Sequence, residues 1–193
     1  WVGDFGEGVK PLVVQQGPEV IAFGLSDGRV ALWFDHMKEG DSWLPLYAQT
    51  HTEPICALGF VHAEAKNYVL SYSEDLTLAQ TRLDDLEPMP RAAKAKGLHS
   101  TAPLALLTGP LERFYTIGKD GVKAWRDLYS NHRPVSHDEP REELDGPIIG
   151  ATQLDYPVKN IDAEWTCVPA LALFAHQKVC IYTLLDVDQK TAL

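Results

Sequence analysis

Short apolar runs separated by turn residues dominate the chain, and the clearest pair is Val20 to Asp35, VIAFGLSDGRVALWFD. Val20 to Gly24 and Val30 to Phe34 are apolar and rich in branched residues, and Ser26-Asp27-Gly28 lies between them. Gly accepts a positive φ and Asp tolerates it, so the backbone can reverse there and the stretch predicts a hairpin. A lone two-stranded hairpin is marginal in water, and this one is apolar on both sides, so further sheets are expected to stack on it.

The sequence contains copies of the same unit. A Pro followed by a branched apolar residue opens a short strand at Pro11, Pro54, Pro103 and Pro147, at spacings of 43, 49 and 44 residues. Asp27, Asp75 and Asp120 each sit in a turn between two apolar runs, and Gln177 takes that place in the fourth copy. Each second run closes on Asp35, Asp84, Asp127 or Asp186, and from the first three to the next Pro is 19, 19 and 20 residues. A period of roughly 40 to 50 residues built from short strands is the signature of a propeller blade.

The segments LSDGRVALWFD, QTHTEPICALGF, GLHSTAPLALL and GKDGVKAWRD resemble the WD40-repeat family, with its His before the first strand and its Trp-Asp end to the third. The resemblance spans the chain and implies an all-β propeller of four-stranded blades. It also implies a buried hydrogen-bonded tetrad, matched in blade three by His99, Thr116, Asp120 and Trp125. Blade two offers His51, Ser71 or Ser73, and Asp75, but Thr81 stands where the Trp would be. Blade four has Gly146 without the His, and Tyr182 in place of Trp.

The whole of 1–193 reads as one such region, with blades at about 11–48, 54–92, 103–144 and 147–185. Trp1 to Phe5 sits at the offset of an outer strand and is expected to complete another blade. Outer strands are expected in WLPLYA, from Trp43 to Ala48, and in LEPMP, where prolines withhold donors from further pairing. From Pro147 to the turn at Gln177 is 30 residues, against 16, 21 and 17 in the earlier blades, and the excess, Asp155 to Cys167, reads as an insertion between two strands. Trp165 lies in it and owes nothing to the repeat; an exposed Trp there would anchor a partner, and a packed one would plug the insertion onto its blade.

Composition narrows the function. A formal net charge of -10 over 193 residues repels a phosphate backbone, so nucleic acid is not expected as a partner, and the basic run Arg91 to Lys96 reads as a solvated strand edge. No apolar run approaches the ~20 residues of a membrane span, so no membrane role is expected. Cys180 should face about residue 173, which leaves Cys167 out of register for a bridge, and Cys56 and Cys180 read as buried thiols. With no signal peptide recognisable, a cytoplasmic or nuclear location is expected rather than secretion.

Candidate chemistry is sparse. His132, His137, Asp138 and Glu139 fit no metal-binding spacing, and GDFGEG is followed by no helix, so neither a metal nor a cofactor is expected. Ser71 and Ser73 lie in a strand and not on a strand-to-helix elbow, which argues against a nucleophile. His51 and His99 stand where the repeat uses His to hold its own Ser/Thr and Asp. The resemblance therefore implies a non-catalytic scaffold that presents loops to protein or peptide partners. Its binding loops would open on one face, which here collects Thr50, His51, Glu53, Glu74, Lys96, Ser100, Lys119 and Asp145. The competing class is a propeller-form enzyme or small-molecule sensor, which needs polar groups converging on the central channel. Propellers hold about 4 to 8 blades, and the chain starts at Trp1 instead of Met, so four blades are expected to be part of a larger ring or a longer chain.

Overall fold

A computed structural model describes residues 5–17, 19–34, 45–63, 66–83, 95–96, 99–108, 114–125, 137–138, 146–159 and 163–183. Within them the fold is all-β, with no helix and four small antiparallel sheets. Sheet 1 holds β1 (Pro11–Gly17), β2 (Val20–Leu25), β3 (Arg29–Phe34) and β4 (Leu46–Gln49) in that order. Sheet 2 repeats the order with β5 (Ile55–Ala63), β6 (Lys66–Ser73), β7 (Thr77–Arg82) and β8 (Ala95–Lys96). Sheet 3 does so with β9 (Ala105–Thr108), β10 (Phe114–Gly118), β11 (Gly121–Trp125) and β12 (His137–Asp138). Sheet 4 has three strands, β13 (Gly150–Lys159), β14 (Trp165–Phe174) and β15 (Val179–Thr183).

The expected first hairpin forms because its turn chemistry and its alternation agree. Gly28 N–H donates to Leu25 O at 3.2 Å with φ at 81°, and Phe23 pairs with Ala31 across the strands. Sheet 2 makes the same reversal with Leu76, a non-glycine residue, at φ 60°.

The sheets stack in chain order through their first strands, with β1 and β2 against β5, β5 against β9, and β9 against β13. Three apolar cores lie between them. Val30, Leu32, Ile55 and Val69 fill the space between sheets 1 and 2, and Leu70, Tyr72, Phe114 and Trp125 that between sheets 2 and 3. Ile117, Val122, Leu171 and Leu173 fill the space between sheets 3 and 4. Each such side chain contributes about 1.5 to 3 kcal/mol by leaving water, so the succession of sheets is held chiefly by these layers. The described residues do not close the four sheets into a ring.

Three expectations change. Phe5 pairs with no strand; it is buried against Phe23, Leu25 and Ala31 of sheet 1, while residues 1–4 lie outside the described residues. The outer strand seen in sheet 2 is Ala95–Lys96, in the basic run; the LEPMP segment lies outside the described residues. The excess in the fourth unit is not a loop. Asp155 to Lys159 pairs in continuous register with Pro169 to Trp165, which prolongs β13 and β14 into an arm, and the half-buried Tyr156 and Val158 alternate with the exposed Asp155, Pro157 and Lys159 as a strand requires.

A candidate interaction face built on three turns

In each of the first three sheets the turn between the second and third strands bonds to the segment leading into that sheet. Ser26 N–H donates to Lys10 O at 2.9 Å, and Glu74 N–H to Pro54 O at 3.0 Å. The Asp120 carboxylate accepts from Ser100 N–H at 2.7 Å. Two turns also reach the next sheet: Gly28 O accepts from His51 N–H at 3.0 Å, and Lys119 O from Ile148 N–H at 3.4 Å. Turns and leading segments are thereby gathered at one end of the stack.

Beneath this end sheet 3 holds a closed polar network. The Asp120 carboxylate can only accept, so His99 Nδ1–H donates to it at 2.6 Å. His99 Nε2 lies 2.9 Å from Thr116 Oγ1, which also accepts from Trp125 Nε1–H at 2.9 Å. The Thr116 hydroxyl hydrogen then points at Nε2, and all four side chains are joined. Gly118 makes room for it, since a Cβ there would fall 2.5 Å from both His99 Nδ1 and Asp120 Oδ1.

Sheet 2 builds the same site with one residue interposed. Asp75 accepts from the Thr77 hydroxyl, whose oxygen accepts from His51 Nδ1–H at 2.7 Å, and His51 Nε2 lies 2.9 Å from Ser71 Oγ. Ser71, and not Ser73, is therefore the partner of His51; Ser73 Oγ donates to Glu53 O instead. Thr81 fills the place of Trp125 and is buried. In sheet 1 an aromatic pair replaces the polar one: Phe5 and Phe23 rings lie 5.3 Å apart, and Arg29 bridges Asp27 to Phe5 O. In sheet 4 Leu173 and Tyr182 occupy the equivalent places.

Burial raises the pKa of Asp120, but the Ser100 N–H and His99 outweigh it and hold the carboxyl down at about 2. Asp75 is also lowered: burial opposes, and the Thr77 hydroxyl and N–H prevail. A carboxylate depressed in the fold stabilises above its unfolded pKa and loses that stabilisation as pH falls through the folded one. Stability is thus expected to fall as the pH drops from about 4 to about 2, through loss of the Asp120 carboxylate. Thermal melts over that range in the parent and in Asp120→Asn check this, the variant showing the smaller slope.

Two residues expected on the binding face are not there. Thr50 and His51 are buried, because Thr50 Oγ1 donates to Gly28 O at 3.2 Å and His51 is locked in its network. Glu53, Glu74, Ser100 and Lys119 are exposed at the turn end. Lys96 lies in β8, and Asp145 lies outside the described residues. Trp165 is 69% exposed near the tip of the β13–β14 arm, with Lys159 Nζ 5.3 Å from its ring centre. The arm points away from the turns, so Trp165 does not join them. Of the metal-ligand candidates, His137 and Asp138 fall in the edge strand β12, and His132 and Glu139 lie outside the described residues. Thr77, Phe5 and Arg29 were not foreseen; Thr77 stands two residues after Asp75, where the third unit has Val122, and that difference was the available signal.

No protein-family model matches the chain, and no curated protein matches it. Solved structures do. The crystal structure of the computationally designed Ika4 protein superposes with a TM-score of 0.61 at 16% identity, over 93% of this chain and 94% of that one. The computationally designed Ika8 protein gives 0.58 at 16% identity, over 90% of this chain and 46% of that one. This chain thus spans nearly all of one and under half of the other, and the likeness is one of fold.

Proposed function

We propose that the chain is a non-catalytic interaction scaffold of WD40-like β-propeller form, whose four sheets are blades of a larger propeller and whose turn end receives a peptide or protein partner. The reading rests on one observation above others: the His, Ser/Thr and Asp groups that could carry chemistry are used in holding the turns in place. What those turns leave accessible is Glu53, Glu74, Ser100 and Lys119, a surface of mixed sign suited to polar and charged contacts. Burial first, then the carboxylate of Glu74, pushes the Cys56 thiol up to about 11, which leaves it a poor nucleophile. Cys56, Cys167 and Cys180 form no disulfide, which agrees with a reducing compartment such as cytoplasm or nucleus. No helix among the described residues is long and apolar enough to cross a membrane.

Capture of the native partner from a cell extract tests the proposal. Charge reversal of Glu53 and Glu74 together is expected to reduce capture about tenfold or more while moving the melting temperature by about a degree or less, since exposed loop charges add little to stability. Undiminished capture by that variant would argue against the turn end as the binding face.

A further inference from the structure

We propose that Leu76 anchors the partner on the turn end: held at a strained backbone position between Glu53 and Glu74, it presents an apolar side chain to a segment that sets an apolar residue beside a Lys or Arg. The inference rests on the turn-end reading and adds to it a specificity-determining residue and the chemistry of the partner.

The three turns built on Asp can be compared position by position. Asp27 is followed by Gly28 at φ 81° and Asp120 by Gly121 at φ 142°, whereas Asp75 is followed by Leu76 at φ 60°. A side chain in that left-handed conformation crowds the neighbouring carbonyl oxygen, and Gly avoids this in the other two sheets. Strain of this kind persists only where the surroundings hold it, and it concentrates at sites of function. Sheet 2 has the ties to hold it. Leu76 N–H donates to Ser73 O at 3.0 Å, Glu74 N–H donates to Pro54 O at 3.0 Å, and the Asp75 carboxylate accepts from Thr77 N–H at 2.9 Å.

Packing does not account for the leucine. Its side chain is partly exposed and belongs to none of the four apolar cores of the described residues. Sheets 1 and 3 flank sheet 2 within the chain, so the setting of this turn is the same whatever precedes or follows the sequence.

The charge around Leu76 selects the partner. Glu74 stands two residues before it, and Ser73 Oγ–H donates to Glu53 O at 2.9 Å, which brings Glu53 to the same turn. Both glutamates are exposed, and the exposed Lys10 and Lys119 belong to the sheets on either side, so acid is concentrated about Leu76. An apolar side chain between two carboxylates is matched by an apolar residue next to a cation. The apolar contact supplies most of the binding energy, and the charges supply orientation and selectivity.

Leu76→Gly separates binding from folding. Glycine relieves the strained φ but also frees the unfolded chain, and the two effects oppose, so the variant should melt within about a degree of the parent or higher. The probe is a library of immobilised decapeptides varied at adjacent positions. The 193-residue chain should select sequences that join Leu, Ile or Phe to Lys or Arg, and Leu76→Gly should weaken the selected peptides about tenfold or more. Leu76→Asn, which also tolerates a positive φ, should behave in the same way. Selection of acidic or purely polar peptides, or of none, overturns the proposal. So does a loss of less than about threefold in Leu76→Gly. A melting temperature lower by more than about a degree in both variants also overturns it, because the side chain would then be part of the folded core. Peptides lost on charge reversal of Glu53 and Glu74 but kept by Leu76→Gly sink this inference alone, and peptides kept by both sink the turn-end reading with it.

Discussion

The Gly28→Ala variant is expected to lose about 3 kcal/mol of stability or more, near the upper end of what one small substitution does. Two costs combine. A residue with a Cβ pays about 1 kcal/mol or more to hold a φ of 81°. The added Cβ would also stand 2.3 Å from the carbonyl oxygen and 2.7 Å from the carbonyl carbon of His51, which are backbone atoms with little room to yield. Moving that carbonyl strains the Gly28 O to His51 N–H bond that ties sheet 1 to sheet 2, and it disturbs the His51 ring within its network. Gly8 separates the two costs, because it holds φ at 75° with nothing within 4 Å of its added Cβ. Urea melts of Gly8→Ala should show only the conformational cost of about 1 kcal/mol. Equal losses in the two variants would mean that the close approach at His51 does not matter.

Asp120→Ala should cost about 1 to 3 kcal/mol, and thus lower the melting temperature by several degrees. The substitution leaves His99 Nδ1–H and Ser100 N–H without their acceptor, and His99 has no exposed side-chain surface through which water could take over. His99→Ala should cost a similar amount, and the double variant less than the sum, because both break one network. Trp125 donates into the same Thr116 hydroxyl, so its fluorescence should shift with either change. A melting temperature within about a degree of the parent's would show that the network contributes nothing net.

The repeat was legible because its landmarks are local. Prolines that open strands and an Asp or Gly that turns the chain act through backbone conformation, which a few residues determine. The tetrad of sheet 3 was legible for the same reason, since its four members stand at fixed offsets within one unit. What escaped depends on side chains meeting across units. Thr50 and His51 looked like loop residues from their offsets, but the Gly28 carbonyl of the preceding sheet draws both backbone N–H groups inward. The spacing of Phe5 from Pro11 alone points to a strand residue; that its ring replaces a histidine depends on Phe23 standing where the other sheets have Ser71 and Thr116. The length of the segment from Asp155 marks an insertion and says nothing of its pairing; Tyr156 and Val158 become strand residues only opposite Val168 and Thr166.

The arm has one more consequence. From Phe174, beside the turns, to Trp165, near the tip, β14 runs ten residues, or roughly 30 Å at about 3.4 Å per step. A molecule seated on the turns and another seated on the arm tip would be held apart by the length of that strand. Held on one rigid sheet at a fixed span, two such molecules would meet at a local concentration set by the span and not by their abundance in solution.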